Sequence, residues 1–278
     1  MFNISKKVKE RITNSLQRYL PIIEAAQTND VNETDTVTII KDFFSDCFGY
    51  DKYSELTSEF VVKSTYCDLA VRIDNKVKLL VEIKAPGVEL KENQIKQAVD
   101  YSANSGVEWV VLTNAVDWKL FKIEFKQPIE TKLVLEFSIL KFNPKNENAH
   151  QIMYVFSKEG LSKSSLLECY DKTRATSKYL IGAILVSDSV LSVIKKEIKK
   201  IHEDVKVGEE ALAEILSRDI IKREIFDSDQ FKDNQKIIKK QQAREQKKRD
   251  QAKLDDIPVQ IPDKQEEITI NHEQSKAS

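Results

Sequence analysis

Three residues able to do chemistry together lie in the first third of the chain: Asp68, Glu82 and Lys84. They fall in two runs, 67–73 and 77–84, that alternate apolar and polar residues as strands do. The apolar members Leu69, Val71 and Ile73, then Val77, Leu79, Val81 and Ile83, are all odd-numbered. Asp68, Ala70, Arg72, Lys78, Leu80, Glu82 and Lys84 form the even set. Directly opposed residues of a hairpin share a face, so its register must pair odd with odd. A turn centred on Asn75, within Asp74-Asn75-Lys76, achieves this, and Asn tolerates the left-handed conformation such a loop needs. The pattern therefore predicts Asp68 opposite Glu82, with Cβ atoms about 5 Å apart, and Lys84 on the same face.

Two carboxylates so placed repel one another unless a proton or a cation lies between them. A hard divalent cation takes oxygen ligands, here Asp68, Glu82 and the backbone carbonyl of Ile83, together with water and substrate phosphate. Lys84 would then orient an attacking water or offset charge on the phosphate. A plainer reading of the same residues is a strand carrying a surface salt bridge between Lys84 and one of the acids.

The surrounding pattern predicts the elements that position these residues. A helix over 5–26 carries Val8, Ile12, Leu16, Tyr19 and Ile23 at helical spacing, with Pro21 inside it. A second helix starts at an Asn32 cap and stops before Gly49, burying Val37, Ile40, Phe44 and Cys47. Strands are expected over 60–63, 67–73 and 77–84, a helix over 90–104 ended by Gly106, and two more strands over 108–113 and 118–125. That order implies an α/β fold, a mixed central sheet flanked by helices. Beyond 150 the texture becomes helical, with one long helix over 174–202 and another over 208–223. The expected organisation is a core domain over 1–145, a small helical domain over 150–226, and a basic then polar disordered tail over 227–278.

Asp68 followed by Val81-Glu82-Ile83-Lys84 at the end of an apolar strand resembles the PD-(D/E)XK nucleases. The wider pattern over 30–126 is similar to the N-terminal nuclease domain of type I restriction enzyme R subunits. Cys67 replaces the Pro usually written before the first Asp of that motif. The resemblance implies a restriction-endonuclease-like core and a Mg²⁺-dependent DNA endonuclease (Mn²⁺ as a substitute) acting in restriction or defence. Asp68 and Glu82 would hold the metal, with Lys84 beside it. It also implies a role for a Glu on the helix before the sheet, which Glu33 fits; complementarity to the helix dipole explains Glu33 equally. Gln97 and Tyr101 match the family's Gln and Tyr four residues apart on a helix, a spacing that puts both on one face. There an amide can reach phosphate or base, although a solvent-facing Gln beside a half-buried Tyr fits as well. Thr113-Asn114 followed by Trp118 resembles the family's Thr-Asn-Gly turn, with Ala115 in place of Gly.

The rest of the sequence bounds the function. The chain has 278 residues, 32% charged, with a net charge of -1, so nucleic acid must be held by local patches. One such patch is 236–253, whose eight Lys/Arg include Lys247, Lys248 and Arg249. It reads either as a phosphate-binding arm or as a solvated helix or disordered tail. No G-x-x-x-x-G-K-[ST] motif is present, so ATP hydrolysis and a helicase motor are not expected. A stand-alone nuclease-domain protein is the expectation. Three scattered cysteines, no signal sequence and no membrane-length apolar run lead to an expectation of reduced thiols in a cytoplasmic protein. The apolar residues of the 174–226 helices are read as core positions or as an interface for a homodimer or partner protein. The competing function is a non-catalytic nucleic-acid-binding or complex-forming protein that retains the nuclease fold.

Overall fold

The computed structural model describes residues 1–62 and 65–255, with the side chains of 59–62, 65, 92 and 249–255 excepted. It divides into two compact units at Ser177 and Lys178.

The first unit is a six-stranded mixed sheet with helices on both faces. Helix α1 (Lys6–Thr28) buries the expected stripe of Val8, Ile12, Leu16, Tyr19 and Ile23, and Pro21 lies inside it. Helix α2 (Glu33–Asp46) begins as expected at Asn32, whose side-chain oxygen accepts the Asp35 amide at 2.9 Å. The strands are β1 (Leu56–Val62), β2 (Thr65–Ile73), β3 (Lys76–Ile83), β4 (Trp109–Thr113), β5 (Asp117–Glu124) and β6 (Glu130–Ser138), and they lie in chain order across the sheet. All neighbours are antiparallel except β3 and β4. Those two are joined by α3 (Lys96–Ser105), because parallel neighbours need a crossover. Gly106, at φ 71°, ends α3 in the left-handed conformation expected of a C-terminal glycine.

One face of the sheet packs under α1, α2 and α4 (Glu147–Phe156), where Trp118 lies among Phe43, Phe44, Phe48 and Phe156. The other face packs under α3 through Leu80, Val110, Leu112, Ala98 and Tyr101. Helices α5 (Lys158–Ser162) and α6 (Ser165–Ala175) complete the unit. Arg11 clamps it, pairing with both Glu159 oxygens at 2.8 and 2.7 Å and donating to the carbonyls of Cys47 and Phe48. Gly49 permits this, since it has φ +82° and a Cβ there would lie 2.6 Å from the guanidinium.

Several expectations need correction. Strand β6 was not anticipated, and the helices over 147–175, expected in a separate helical domain beginning at 150, belong to the first unit, which extends to 177 rather than 145. The reason is burial: Met153, Tyr154, Phe156, Leu166 and Tyr170 all belong to the core of the sheet. The hairpin turn has two residues, Asp74 and Asn75, both left-handed (φ 49° and 60°), and Lys76 already belongs to β3. A bulge between Val71 and Arg72 absorbs the difference, so Val77 pairs with Arg72 and joins the α3 side.

The second unit is helical: α7 (Lys178–Leu185), α8 (Asp188–Ile201), α9 (Glu209–Ile215), α10 (Arg223–Phe226) and α11 (Asp229–Asp255). The single helix expected over 174–202 is broken at Ser177 and Ser187, where the Ser187 hydroxyl donates to the Ile184 carbonyl at 2.6 Å. Residues 229–255, expected within a disordered tail, are α-helical. Lys, Gln, Arg, Glu and Ala dominate there and favour helix. Phe231 anchors α11, 1% exposed against Phe226 and Gly182 of α7. The end of the expected tail, 256–278, lies outside the described residues. No helix among the described residues is long and apolar enough to cross a membrane. Cys47 and Cys67 are buried free thiols and Cys169 is a partly buried one.

Candidate active site

The site forms where β2 and β3 part. Leu69 pairs with Val81, Ala70 with Leu80 and Val71 with Leu79, which is the register predicted from the odd–even pattern. Carried one pair further, that register sets Asp68 against Glu82, but the ladder stops at Leu69. In its place the Asp68 carboxylate accepts the Ile83 amide at 2.7 Å. Cys67 drops out of the alternation and packs with Ala70 and Leu80 beneath α3. A side chain has thus taken over a backbone ladder bond, and it fixes Asp68 at the carboxyl end of β3.

Glu82 is 4% exposed. Its Oε1 accepts from the Lys84 ammonium at 2.8 Å, whereas its Oε2 is buried with no hydrogen-bond partner. Burial, and next the charge of Asp68, push the Glu82 carboxyl up to about 7 against an ordinary 4.5, with Lys84 opposing both. Burial works against the Lys84 charge, but the Glu82 hydrogen bond and carboxylate outweigh it and raise the ammonium above its ordinary value. Lys84 also pairs with Glu33 at 3.4 Å, at the first turn of α2. The structure therefore brings Asp68, Glu82, Lys84 and Glu33 together, Glu33 through Lys84 and half-exposed.

The other expected site residues fare differently. Gln97 is exposed on the first turn of α3, and no hydrogen bond ties it to Glu82 or Lys84. Tyr101 is 1% exposed in the core beneath α3, so its ring is a packing element and not a surface for nucleic acid. Lys247 and Lys248 are exposed on α11, and the side chain of Arg249 lies outside the described residues.

A buried carboxylate oxygen with no partner, with a second carboxylate charge acting on it, supplies hard oxygen donors suited to a divalent cation. Among the described residues no three His, Cys, Asp or Glu side chains are grouped to hold a metal ion. Any such ion would rely on two carboxylates, the carbonyl, water and phosphate, as Mg²⁺ commonly does.

Residues 40–134 match the family model described as type I restriction enzyme R protein N terminus. This stretch resembles that R protein domain. The R-protein match takes in Asp68, Glu82, Lys84 and the Thr113–Trp118 turn, and it leaves Glu33 outside. No curated protein and no solved structure matches the chain.

Sequence reasoning noticed Thr113 and Asn114 only as a turn. In the structure the Lys84 amide donates to the Thr113 carbonyl at 2.8 Å. The Asn114 amide reaches the loop that follows Lys84, donating to Val88 O at 2.8 Å. Nothing local signals that contact, since 26 residues separate the partners.

Proposed function

We propose that the chain is a Mg²⁺-dependent DNA endonuclease of the PD-(D/E)XK type, acting in restriction or defence. The observation that carries this reading is the convergence of Asp68, the unpartnered buried oxygen of Glu82, and the Lys84 ammonium where β2 and β3 part. The resemblance of 40–134 to the R protein N terminus supports it. A bound divalent cation supplies Lewis acidity there, lowering the pKa of water and offsetting charge on the phosphate. Asp68 and Glu82 would hold it, with the Ile83 carbonyl as a third donor. The Ile83 amide keeps the Asp68 carboxylate at its post. Lys84 presents a fixed positive charge to the phosphate and a donor to the attacking water. The water oxygen bonds to phosphorus as the bond to the leaving oxygen breaks, giving an alcohol and a phosphate monoester. The exposed Lys residues of α11 are proposed to hold the DNA backbone.

Lys84→Ala tests the reading: Mg²⁺-dependent cleavage of duplex DNA should fall at least about 100-fold while the melting temperature stays near that of the parent. Undiminished cleavage would remove Lys84 from the mechanism. A second reading, a non-catalytic nucleic-acid-binding or complex-forming protein, is favoured by the lack of a third acidic or His ligand grouped at the site among the described residues. Calorimetric titration with Mg²⁺ or Mn²⁺ separates the two. Absence of binding at millimolar ion, with and without DNA, selects the second.

A further inference from the structure

Lys84 is the first residue past β3, and the segment after it, Ala85-Pro86-Gly87-Val88-Glu89-Leu90, has no regular structure. A chain leaving a strand through Pro and Gly has little of its own to hold it, because Pro has no amide to donate and Gly restricts the backbone least. Within the loop, Val88 N donates to Ala85 O at 3.0 Å. Anchoring from outside comes from the burial of Leu90 in the core beneath α3, from the β4–β5 turn, and from Lys119, which donates to Leu90 O at 3.2 Å.

Asn114 is 3% exposed and uses both ends of its amide. The nitrogen donates to Val88 O at 2.8 Å and Pro86 O at 3.4 Å. The oxygen accepts from Asp117 N at 2.7 Å and Val116 N at 3.1 Å. One side chain therefore closes the turn that follows β4 and grips the loop that follows Lys84. The turn is held firmly enough to keep Ala115 left-handed, at φ 71°, with the Trp118 indole donating to Ala115 O at 2.9 Å. The Thr113 carbonyl in addition accepts from the Lys84 amide. Asp at 114 would keep the acceptors and lose the donors, and Ser would keep one acceptor and fall short of Val88.

We propose that Asn114 is a positioning residue for Lys84: by gripping Pro86 O and Val88 O it fixes the chain beyond Lys84, and with it the direction of the ammonium beside Glu82. The kinetic half of this inference rests on the endonuclease reading; the structural half does not.

The test compares wild type, Asn114→Ser and Asn114→Asp as full chains. Ser retains a cap for the turn, and Asp keeps the oxygen that accepts both turn amides, so one of the two should fold if the other does not. Hydrogen–deuterium exchange in metal-free protein is expected to rise at least about 10-fold over 84–90 while β5 keeps its protection. In Mg²⁺-dependent cleavage, kcat should fall at least about 10-fold with KM changed less than about twofold, as for a displaced rather than deleted group. Unchanged exchange over 84–90 in a folded variant overturns the proposal whatever the kinetics. So does unchanged kcat in a cleaving protein. Loosened exchange in a protein that cleaves nothing, even as wild type, supports the positioning role and refutes the endonuclease reading.

Discussion

Glu82→Gln should stabilise the metal-free protein at alkaline pH while removing the proposed metal site. The carboxyl of Glu82 is pushed up to about 7 from 4.5 by burial and by Asp68. A raised carboxylate pKa means the fold prefers the protonated form. Below pH 4.5 folded and unfolded chains both carry the proton, and the residue costs nothing. As pH rises from 4.5 through 7 the unfolded chain ionises first, and stability is lost across that window. Above 7 the cost is complete, and the interval corresponds to about 3 kcal/mol as an upper bound. Gln mimics the neutral form, but its amide nitrogen would take the place of the buried, unpartnered oxygen, a penalty of about 1 kcal/mol. The net gain expected at pH 8 is therefore about 1–2 kcal/mol. For a unit of this size that is a rise of roughly 2–8 °C in Tm.

Melting curves of both proteins in chelator at pH 5, 6, 7 and 8 check this. The Tm difference should be near zero or reversed at pH 5 and grow toward pH 8. On the endonuclease proposal the order should invert in millimolar Mg²⁺, because wild type alone would gain stability by binding the ion. A pH-independent difference, or a Gln variant less stable at pH 8, would show that Glu82 is not a strained carboxylate and would undo the electrostatic argument for the site.

Ala115 is left-handed and fully buried, so Gly should trade relieved backbone strain against a lost methyl contact and melt within about 1 kcal/mol of wild type. Val at the same place should cost more than about 2 kcal/mol, and equal melting of the Gly and Val variants would contradict the strain. If α11 grips DNA, replacing Lys239, Lys240, Arg244, Lys247 and Lys248 with Gln should flatten the dependence of log affinity on log salt by about 4. Substitution is the right perturbation, because truncation after Phe226 would delete the buried anchor Phe231. Equal slopes for the two chains would leave DNA to the first unit or to a partner.

The parts of the fold that could be read from sequence are those set by short periods. The odd–even alternation of 67–84 placed Leu69 against Val81 because a one-residue slip would turn the apolar set outward. The Asn32 cap and the Gly106 stop are local devices of the same kind. The bulge at Val71–Arg72 escaped because two-residue and three-residue turns suit Asp74-Asn75 equally well until the strands are paired. Tyr101 was read as sharing a face with Gln97, either at a nucleic-acid contact or half-buried, and it is covered. Helical spacing says which residues share a face, and only the sheet beneath α3 decides that Tyr101 is covered while Gln97 is open. Strand β6 was hidden by Glu130, Lys132 and Glu136, charges that an edge strand tolerates and a central one does not.

The site itself was visible as a breach of the pattern that frames it. Strand β3 is buried on both faces from Leu79 to Ile83, as a strand between two neighbours and two helical layers must be. An acid in that run costs the fold more with each degree of burial, and the raised Glu82 carboxyl is that cost expressed as a proton affinity. Lys84 offsets part of it and Asp68 adds to it, so the arrangement makes poor sense as a stabilising ion pair. A positive ion that takes the unpartnered oxygen of Glu82 and the carboxylate of Asp68 removes both penalties at once. Local consistency is violated at one point of β3, and that point is where binding such an ion would restore it.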